Sequence, residues 1–342
     1  METIILDAGN KENIELCAGV LRDGGLVAFP TETVYGLGAN ALDEKAVAGI
    51  FSIKGRQVDN PLIVHISSLD DVDPLVDFIP DIFEPLAKRY WPGSLTLIMR
   101  KSRMIPDNVT AGLDTVAIRM PEHPAALELI RTFSGPVAAP SANPSGRPSP
   151  TKASHVFDDL EGKIPYILDG GACELGIEST VLDISGDIPR ILRPGFVSYD
   201  ELKEVLGVVD AAGVDFRGEQ SLEKPMSPGM KYRHYAPKAP LTAVCGAPGK
   251  TASYIEARMN DDTAALLFDD QTFSHPNVVL FGASDDYATQ ASLLFDALRK
   301  IDSFGVSTIY AQVPSEEGLG SAVANRIKKA AGDNIVVLSD LI

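Results

Sequence analysis

Short apolar runs alternate along the chain with stretches whose apolar residues recur every three or four positions, the pattern of strands interleaved with amphipathic helices. A first strand is read at Thr3 to Leu6, then a helix in which Ile14, Cys17 and Leu21 share a face and which stops at Gly24-Gly25. Leu26 to Pro30 forms the next strand. Asp43 can cap a helix that turns Val47, Ile50 and Phe51 inward and runs out at Lys54-Gly55-Arg56, before a strand at Leu62 to Ile66. Further strands are read at Leu95 to Met99, Thr115 to Arg119, Pro136 to Ala139, Tyr166 to Leu168, Thr180 to Ile184 and Arg190 to Leu192. Strands outnumber helices and alternate with them irregularly, which predicts an α/β unit built on a mixed, twisted sheet with packed helices.

Ser198 and Glu201 form a capping box for one more helix, ending near Leu206, after which glycine and proline punctuate the chain. The expected organisation is an N-terminal unit over 1–206, a linker over 207–240 and a C-terminal unit over 241–342. In the last of these the pattern is regular: strands at Leu241 to Cys245, Ala264 to Phe268, Val278 to Phe281, Ser307 to Ala311 and Ile335 to Leu338, with a long helix from Ser284. Ala291, Leu294, Leu298 and Ile301 lie on one face of that helix, as a crossover above a parallel sheet requires.

The length of 342 residues suits two cores, and 45% hydrophobic with 23% charged residues suits folded domains. A formal net charge of −17 argues against broad electrostatic capture of nucleic acid or anionic lipid, so RNA is met locally if at all. Three cysteines far apart give no metal-ligand spacing and no disulfide framework. No apolar run approaches a membrane span and the N-terminus carries no secretory pattern, so the cytoplasm is the expected location.

Against this acidic background, clusters of cations stand out. Lys54-Gly55-Arg56 places two positive groups at a helix end, either as a helix cap or to neutralise a polyphosphate. Ala139 to Pro150, reading APSANPSGRPSP, brings Ser141, Asn143 and Arg147 onto a loop after a strand, either as a turn or as a ligand loop. Pro30 to Gly38, reading PTETVYGLG, lines a pocket or caps a following turn. Arg119 closes an apolar strand and needs an anionic partner, and His65 sits inside another strand. GIEST (Gly176 to Thr180) and Arg193-Pro194-Gly195 add a hydroxyl loop and another strand-end arginine. PGMKYRHYAP, Pro228 to Pro237, places aromatics and cations in the linker, either as a lid or as a docking segment. No GxxxxGK[ST] or GxGxxG motif is present.

Taken in order, PTETVYGLGANA, the KxR element at Lys54 and Arg56, DNPLIVHI, WPGSLTL, GLDTVAIRMP, the SxN element at Ser141 and Asn143, GIESTV, LRPG and PGMKYRHYAP resemble the Sua5/YrdC/YciO family. Gly318 to Ala330 (GLGSAVANRIKKA) resembles the extra C-terminal domain of its Sua5-type members, which implies a smaller Rossmann-like parallel α/β domain after the YrdC-like catalytic one. The one departure, Gln57 where proline often follows KxR, bears on local loop stiffness. The resemblance implies an L-threonylcarbamoyladenylate synthase, a nucleotidyltransferase that uses L-threonine, bicarbonate and ATP with Mg²⁺ held mainly by the ATP phosphates. Its product serves the t6A modification at position 37 of tRNAs reading ANN codons, through a Kae1/TsaD-type transferase complex.

Carried over by residue, the resemblance implies Lys54 and Arg56 as catalytic. Lys54, Arg56, Thr115, Ser141, Asn143, Arg147, Arg193 and Tyr232 fall on the ATP side, and Thr31, His65, Arg119, Ala139 and Ser179 on the threonine side. Tyr232, His234 and Tyr235 form the lid. The pentavalent oxyanion of such a reaction needs cations more than a protein nucleophile, which fits the lack of a catalytic triad. An RNA-binding module is disfavoured by the acidic charge. A different carbamoyl adenylation would bring acylphosphatase and zinc-finger segments that this chain lacks.

Overall fold

The structure, a computed structural model, describes residues 1–211, 234–271 and 273–338. Two sheets organise them. The N-terminal sheet holds β1 (Ile4–Asp7), β2 (Val27–Phe29), β3 (Gly36–Asn40), β4 (Ile63–His65), β5 (Leu95–Arg100), β6 (Thr115–Arg119), β7 (Val137–Ala138), β8 (Tyr166–Asp169), β9 (Thr180–Asp183) and β10 (Arg190–Arg193). Their order is β1-β8-β2-β3-β7-β4-β6-β5-β9-β10, with parallel and antiparallel neighbours mixed. Helices α1 (Lys11–Arg22), α2 (Glu44–Lys54), α3 (Phe83–Tyr90), α4 (Asp107–Thr110), α5 (Pro124–Phe133), α6 (Ala153–Leu160) and α7 (Tyr199–Leu206) accompany it.

Alternation along β2 divides the core. Val27 and Phe29 face one side, where α1 and α5 contribute Ile14, Cys17, Leu21, Leu129 and Ile130. Ala28 faces the other, packed with Val47, Ile50 and Leu86 from α2 and α3.

β3 is the element that the hydrophobic pattern misses. GLGAN has no β-branched residue, yet it pairs antiparallel with β2 from Val27↔Gly38 to Phe29↔Gly36. A Cβ at Gly38 would lie 2.8 Å from Val137 Cγ1 and 2.9 Å from Phe29, so glycine is required by close packing rather than by a turn.

The C-terminal sheet is all parallel: β11 (Leu241–Cys245), β12 (Thr263–Leu267), β13 (Val278–Leu280), β14 (Thr308–Gln312) and β15 (Ile335–Val337), in the order β13-β12-β14-β11-β15. Its helices are α8 (Pro248–Glu256), α9 (Tyr287–Asp302) and α10 (Gly320–Ala331). Ala291, Leu294, Leu298 and Ile301 of α9 are fully buried against it, as their spacing predicts.

The two units are joined by apolar burial and by charge. Val34 and Ile177, from loops of the first unit, belong to the hydrophobic cluster of the second, beside Leu294 and Phe295. Arg147 pairs with Asp302, Arg299 with Asp159 and Lys152 with Asp296 across the junction. Among the described residues no helix is long and apolar enough to cross a membrane.

Candidate active site

Several strands of the N-terminal sheet end around one cavity of about 70 Å³. His65 and Arg119 are register partners at the carboxyl ends of the parallel strands β4 and β6. Ala139 and Ser141 follow β7, Glu178 and Ser179 precede β9, and Arg193 ends β10. Thr31, Thr33 and Val34 come from the β2–β3 turn, while His234 and Tyr235 close the wall from the segment before β11. Ligands commonly sit at such strand ends because loops there diverge from a rigid frame.

One flank is a directed hydrogen-bond chain. Arg119 Nη1 donates to Thr33 Oγ1 at 2.9 Å, and the two threonine hydroxyls lie 2.8 Å apart. Thr31 Oγ1 donates to the Val34 carbonyl at 2.6 Å, so it must accept from Thr33. Arg119 is itself buried and pairs with the buried carboxylate of Glu32 at 2.6 Å, while its Nε holds the Gly93 carbonyl. The fork thus meets its required carboxylate within the chain. Next to it, burial and then the charge of Arg119 push the His65 imidazole down to about 3, so it is neutral at physiological pH.

The other flank is cationic. Arg56 lines the cavity, its Nη2 on the Pro61 carbonyl and its Nε on the Asn60 carbonyl. Arg193 clasps the Ser179 carbonyl through Nε and Nη2 and reaches Ser179 Oγ at 3.1 Å. Burial and neighbouring charge lower both guanidinium groups to about 10, which leaves them protonated at neutral pH. Lys54, the last residue of α2, is buried and donates to the carbonyls of Ser141 and Asn143. Gly55 takes the left-handed conformation (φ +59°) that ends the helix and lets the chain turn away. Burial, then Arg56, push the Lys54 ammonium well below its ordinary value.

Hydrogen-bonding capacity is left over here. Among the described residues, Asn143 Oδ1, Asn60 Oδ1 and His234 Nε2 are buried without a partner. Burying such atoms costs free energy unless something binds them. Burial and then Arg56 push His234 down to about 3, so its ring is also neutral at physiological pH.

Residues 19–195 match the Sua5/YciO/YrdC family model, described as "Telomere recombination", and residues 197–332 match a model described as "Threonylcarbamoyl-AMP synthase, C-terminal domain". The chain is 47% identical over 327 residues to the threonylcarbamoyl-AMP synthase of Pyrococcus abyssi, covering 94% of this chain and 95% of that one. It is 46% identical over 332 residues to that of Bacillus subtilis, covering 96% and 95% respectively. The chain belongs to the Sua5/YciO/YrdC family. Its fold superposes on the crystal structure of P. abyssi Sua5 complexed with L-threonine with a TM-score of 0.89, at 43% identity and with 99% of each chain covered.

Of the residues that resemblance to the Sua5/YciO/YrdC family singled out, Thr31, Arg56, His65, Arg119, Ala139, Ser141, Ser179, Arg193, His234 and Tyr235 line the cavity. Tyr232 lies outside the described residues, as do Lys231 and Arg233. Four expected nucleotide-side residues do not line the cavity. Thr115 starts β6, four residues from Arg119 and so about 13 Å up the strand. Arg147 is taken up by Asp302 of α9, because the loop carrying it runs along the junction between the units. Lys54 faces loop carbonyls instead of the cavity. Asn143 is one step back as well, its Nδ2 on the carbonyls of Pro144 and Arg147.

The sequence pointed to the segments PTETVYGLG and GIEST but gave no individual role to Glu32, Thr33 or Glu178 within them, nor to Arg326. Arg326 is fully buried on α10, donates through Nε to Glu178 Oε2 at 2.9 Å, and lies 5.7 Å from the Tyr235 ring. The available signal was a guanidinium flanked at helical spacing by Ala322, Val323 and Ala330.

Proposed function

We propose that the chain is an L-threonylcarbamoyladenylate synthase whose cavity joins L-threonine, bicarbonate and ATP into threonylcarbamoyl-AMP. The observation that carries the reading is an island of positive charge in an acidic protein. Among the described residues, Lys54, Arg119, Arg193 and Arg326 are buried with two buried carboxylates, Glu32 and Glu178, around the same strand ends, and half-buried Arg56 joins them. A bound polyanion would compensate that excess, and the synthase names of full-length relatives supply the chemistry.

In this reading the threonine side is the flank of Thr31, His65, Arg119, Ala139 and Ser179. Arg119 uses three of its N–H groups on Glu32, Thr33 and Gly93, which fixes its plane and leaves its outer N–H groups for a carboxylate. Neutral His65 offers a hydrogen bond to the substrate without adding charge. The amine of threonine takes up bicarbonate with loss of water to give a carbamate, and a carbamate oxygen then forms the bond to the α-phosphorus while the bond to pyrophosphate breaks. Arg56 and Arg193 face the developing negative charge, and Lys54 holds the Ser141–Asn143 loop against the phosphates.

No group of three or more His, Cys, Asp or Glu converges among the described residues, and Glu178 and Glu32 are committed to arginines. Mg²⁺ would be carried on the triphosphate, where it would offset the charge of the departing pyrophosphate. In this reading the segment bearing His234 and Tyr235, which forms part of the cavity wall, opens to admit ATP and then covers it. The product passes to a Kae1/TsaD-type transferase that places the threonylcarbamoyl group on tRNA as t6A, in the cytoplasm.

The test mixes protein, ATP, Mg²⁺ and bicarbonate with and without L-threonine and follows pyrophosphate. Release that requires both threonine and bicarbonate is expected. Release indifferent to threonine overturns the assignment.

A further inference from the structure

Arg326 belongs to the C-terminal unit, yet its partners in the first unit are a cavity-lining residue, Glu178, and Pro194, the neighbour of another, Arg193. Its Nε meets Glu178 Oε2 at 2.9 Å, its Nη1 meets the Pro194 carbonyl at 2.8 Å, and its Nη2 lies 3.4 Å from the Glu178 carbonyl. Residue 178 lies directly before Ser179, and residue 194 directly after Arg193. The one guanidinium therefore ties together the two chain segments that carry the cavity's serine and arginine. On its other side it approaches the ring of Tyr235. Asn325 Oδ1 accepts from Nη1 at 3.2 Å and steadies the fork from its own helix.

Glu178 needs this partner. It is buried in the cavity wall, with Ser149 donating to its Oε1 at 2.6 Å. Burial raises its carboxyl, but Arg326 first and Arg193 second outweigh that, and the net shift is downward. Among the described residues, Tyr235, His234 and Lys54 are the other titratable groups coupled to it.

We propose that Arg326 is a positioning residue for the cavity: the C-terminal unit reaches across the junction to hold Glu178-Ser179 and Arg193-Pro194 in register. Docking of the second unit is thus a condition for an assembled site. The inference rests on the synthase reading for its assay, though not for its geometry.

The experiment compares wild type and Arg326→Met in threonine-dependent pyrophosphate release across pH, with Mg·ATP affinity measured in parallel. Loss of the fork leaves burial opposed by Arg193 and the Ser149 hydrogen bond, so the Glu178 carboxyl takes up a proton at higher pH. Arg326→Met is expected to lose between about 10- and 100-fold in kcat/KM at neutral pH. It is also expected to fall away on the acid side where the wild type is level. Glu178→Gln in the Arg326→Met background removes the titrating group, and with it the new acid limb.

Wild-type kcat/KM and an unshifted limb in folded Arg326→Met overturn the proposal. So does a loss equal at every pH and unaltered by Glu178→Gln, which assigns Arg326 to fold stability alone. Where Arg326→Met does not fold, Arg326→Lys is read in the same way: a point charge in place of a fork is expected to give a smaller loss with the same limb, and wild-type behaviour overturns the proposal. Wild-type release that ignores threonine defeats the reaction assignment instead, and the role of Arg326 is then read from Mg·ATP affinity, which must weaken in the variant.

Discussion

Lys54 shows how one side chain changes meaning between sequence and structure. At a helix end beside Gly55 and Arg56 it reads as a phosphate ligand or a helix cap, and in the fold its ammonium spans the gap to the Ser141 and Asn143 carbonyls. Lys54→Met leaves those two carbonyls without their donor in a buried place, at a cost of about 1–3 kcal/mol. Denaturant unfolding should record that loss, and the slackened loop should raise the KM for ATP more than that for threonine. Equal changes in the two KM values would contradict the placement. The same lesson applies to Arg119, whose need for a carboxylate was legible from its place at the end of an apolar strand. That the carboxylate is Glu32 was not, because Glu32 reads as one polar residue in a polar loop. Composition could show an excess of acid but not which acids go inside.

At the scale of elements, strands built from β-branched residues were readable and the site followed from where they end. β6 was read from Thr115 to Arg119, as it is found. β3 was not, because its glycines are demanded by Phe29 and Val137 across the sheet, a contact no local pattern encodes. Gly195 is a sharper case. A Cβ there would lie 2.3 Å from the Thr180 amide nitrogen and 2.5 Å from the Ser179 carbonyl carbon, and backbone cannot step aside. Gly195→Ala should therefore push the end of β10 off the start of β9 and part Arg193 from Ser179. Pyrophosphate release should be lost together with several degrees of melting temperature; a variant with wild-type melting and turnover would show that the two strands can separate without harm.

For the molecule as a whole, burial of neutral imidazoles sets the response to acid. His65 and His234 are both driven to about 3 by burial. At pH values above 6.5 they are neutral folded or unfolded and stability is indifferent to them. Between 6.5 and about 3 the unfolded chain binds protons that the folded chain refuses, so each group withdraws up to about 1.4 kcal/mol per pH unit. Glu178, held below its ordinary 4.5, adds a further loss as pH falls through its folded value. Melting temperature should be level from pH 8 to 7 and decline steadily below 6.5; a level curve down to pH 5 would mean these rings are hydrated in the folded protein.

Val34 and Ile177 plug into the apolar core of the neighbouring unit. A chain shortened to residues 1–206, keeping α7, would carry both as bare greasy pegs, along with Arg147 and Lys152 stripped of their counter-charges. Such a fragment should self-associate when expressed alone, and grafting polar residues at those two sites is the first step toward making it behave as a monomer.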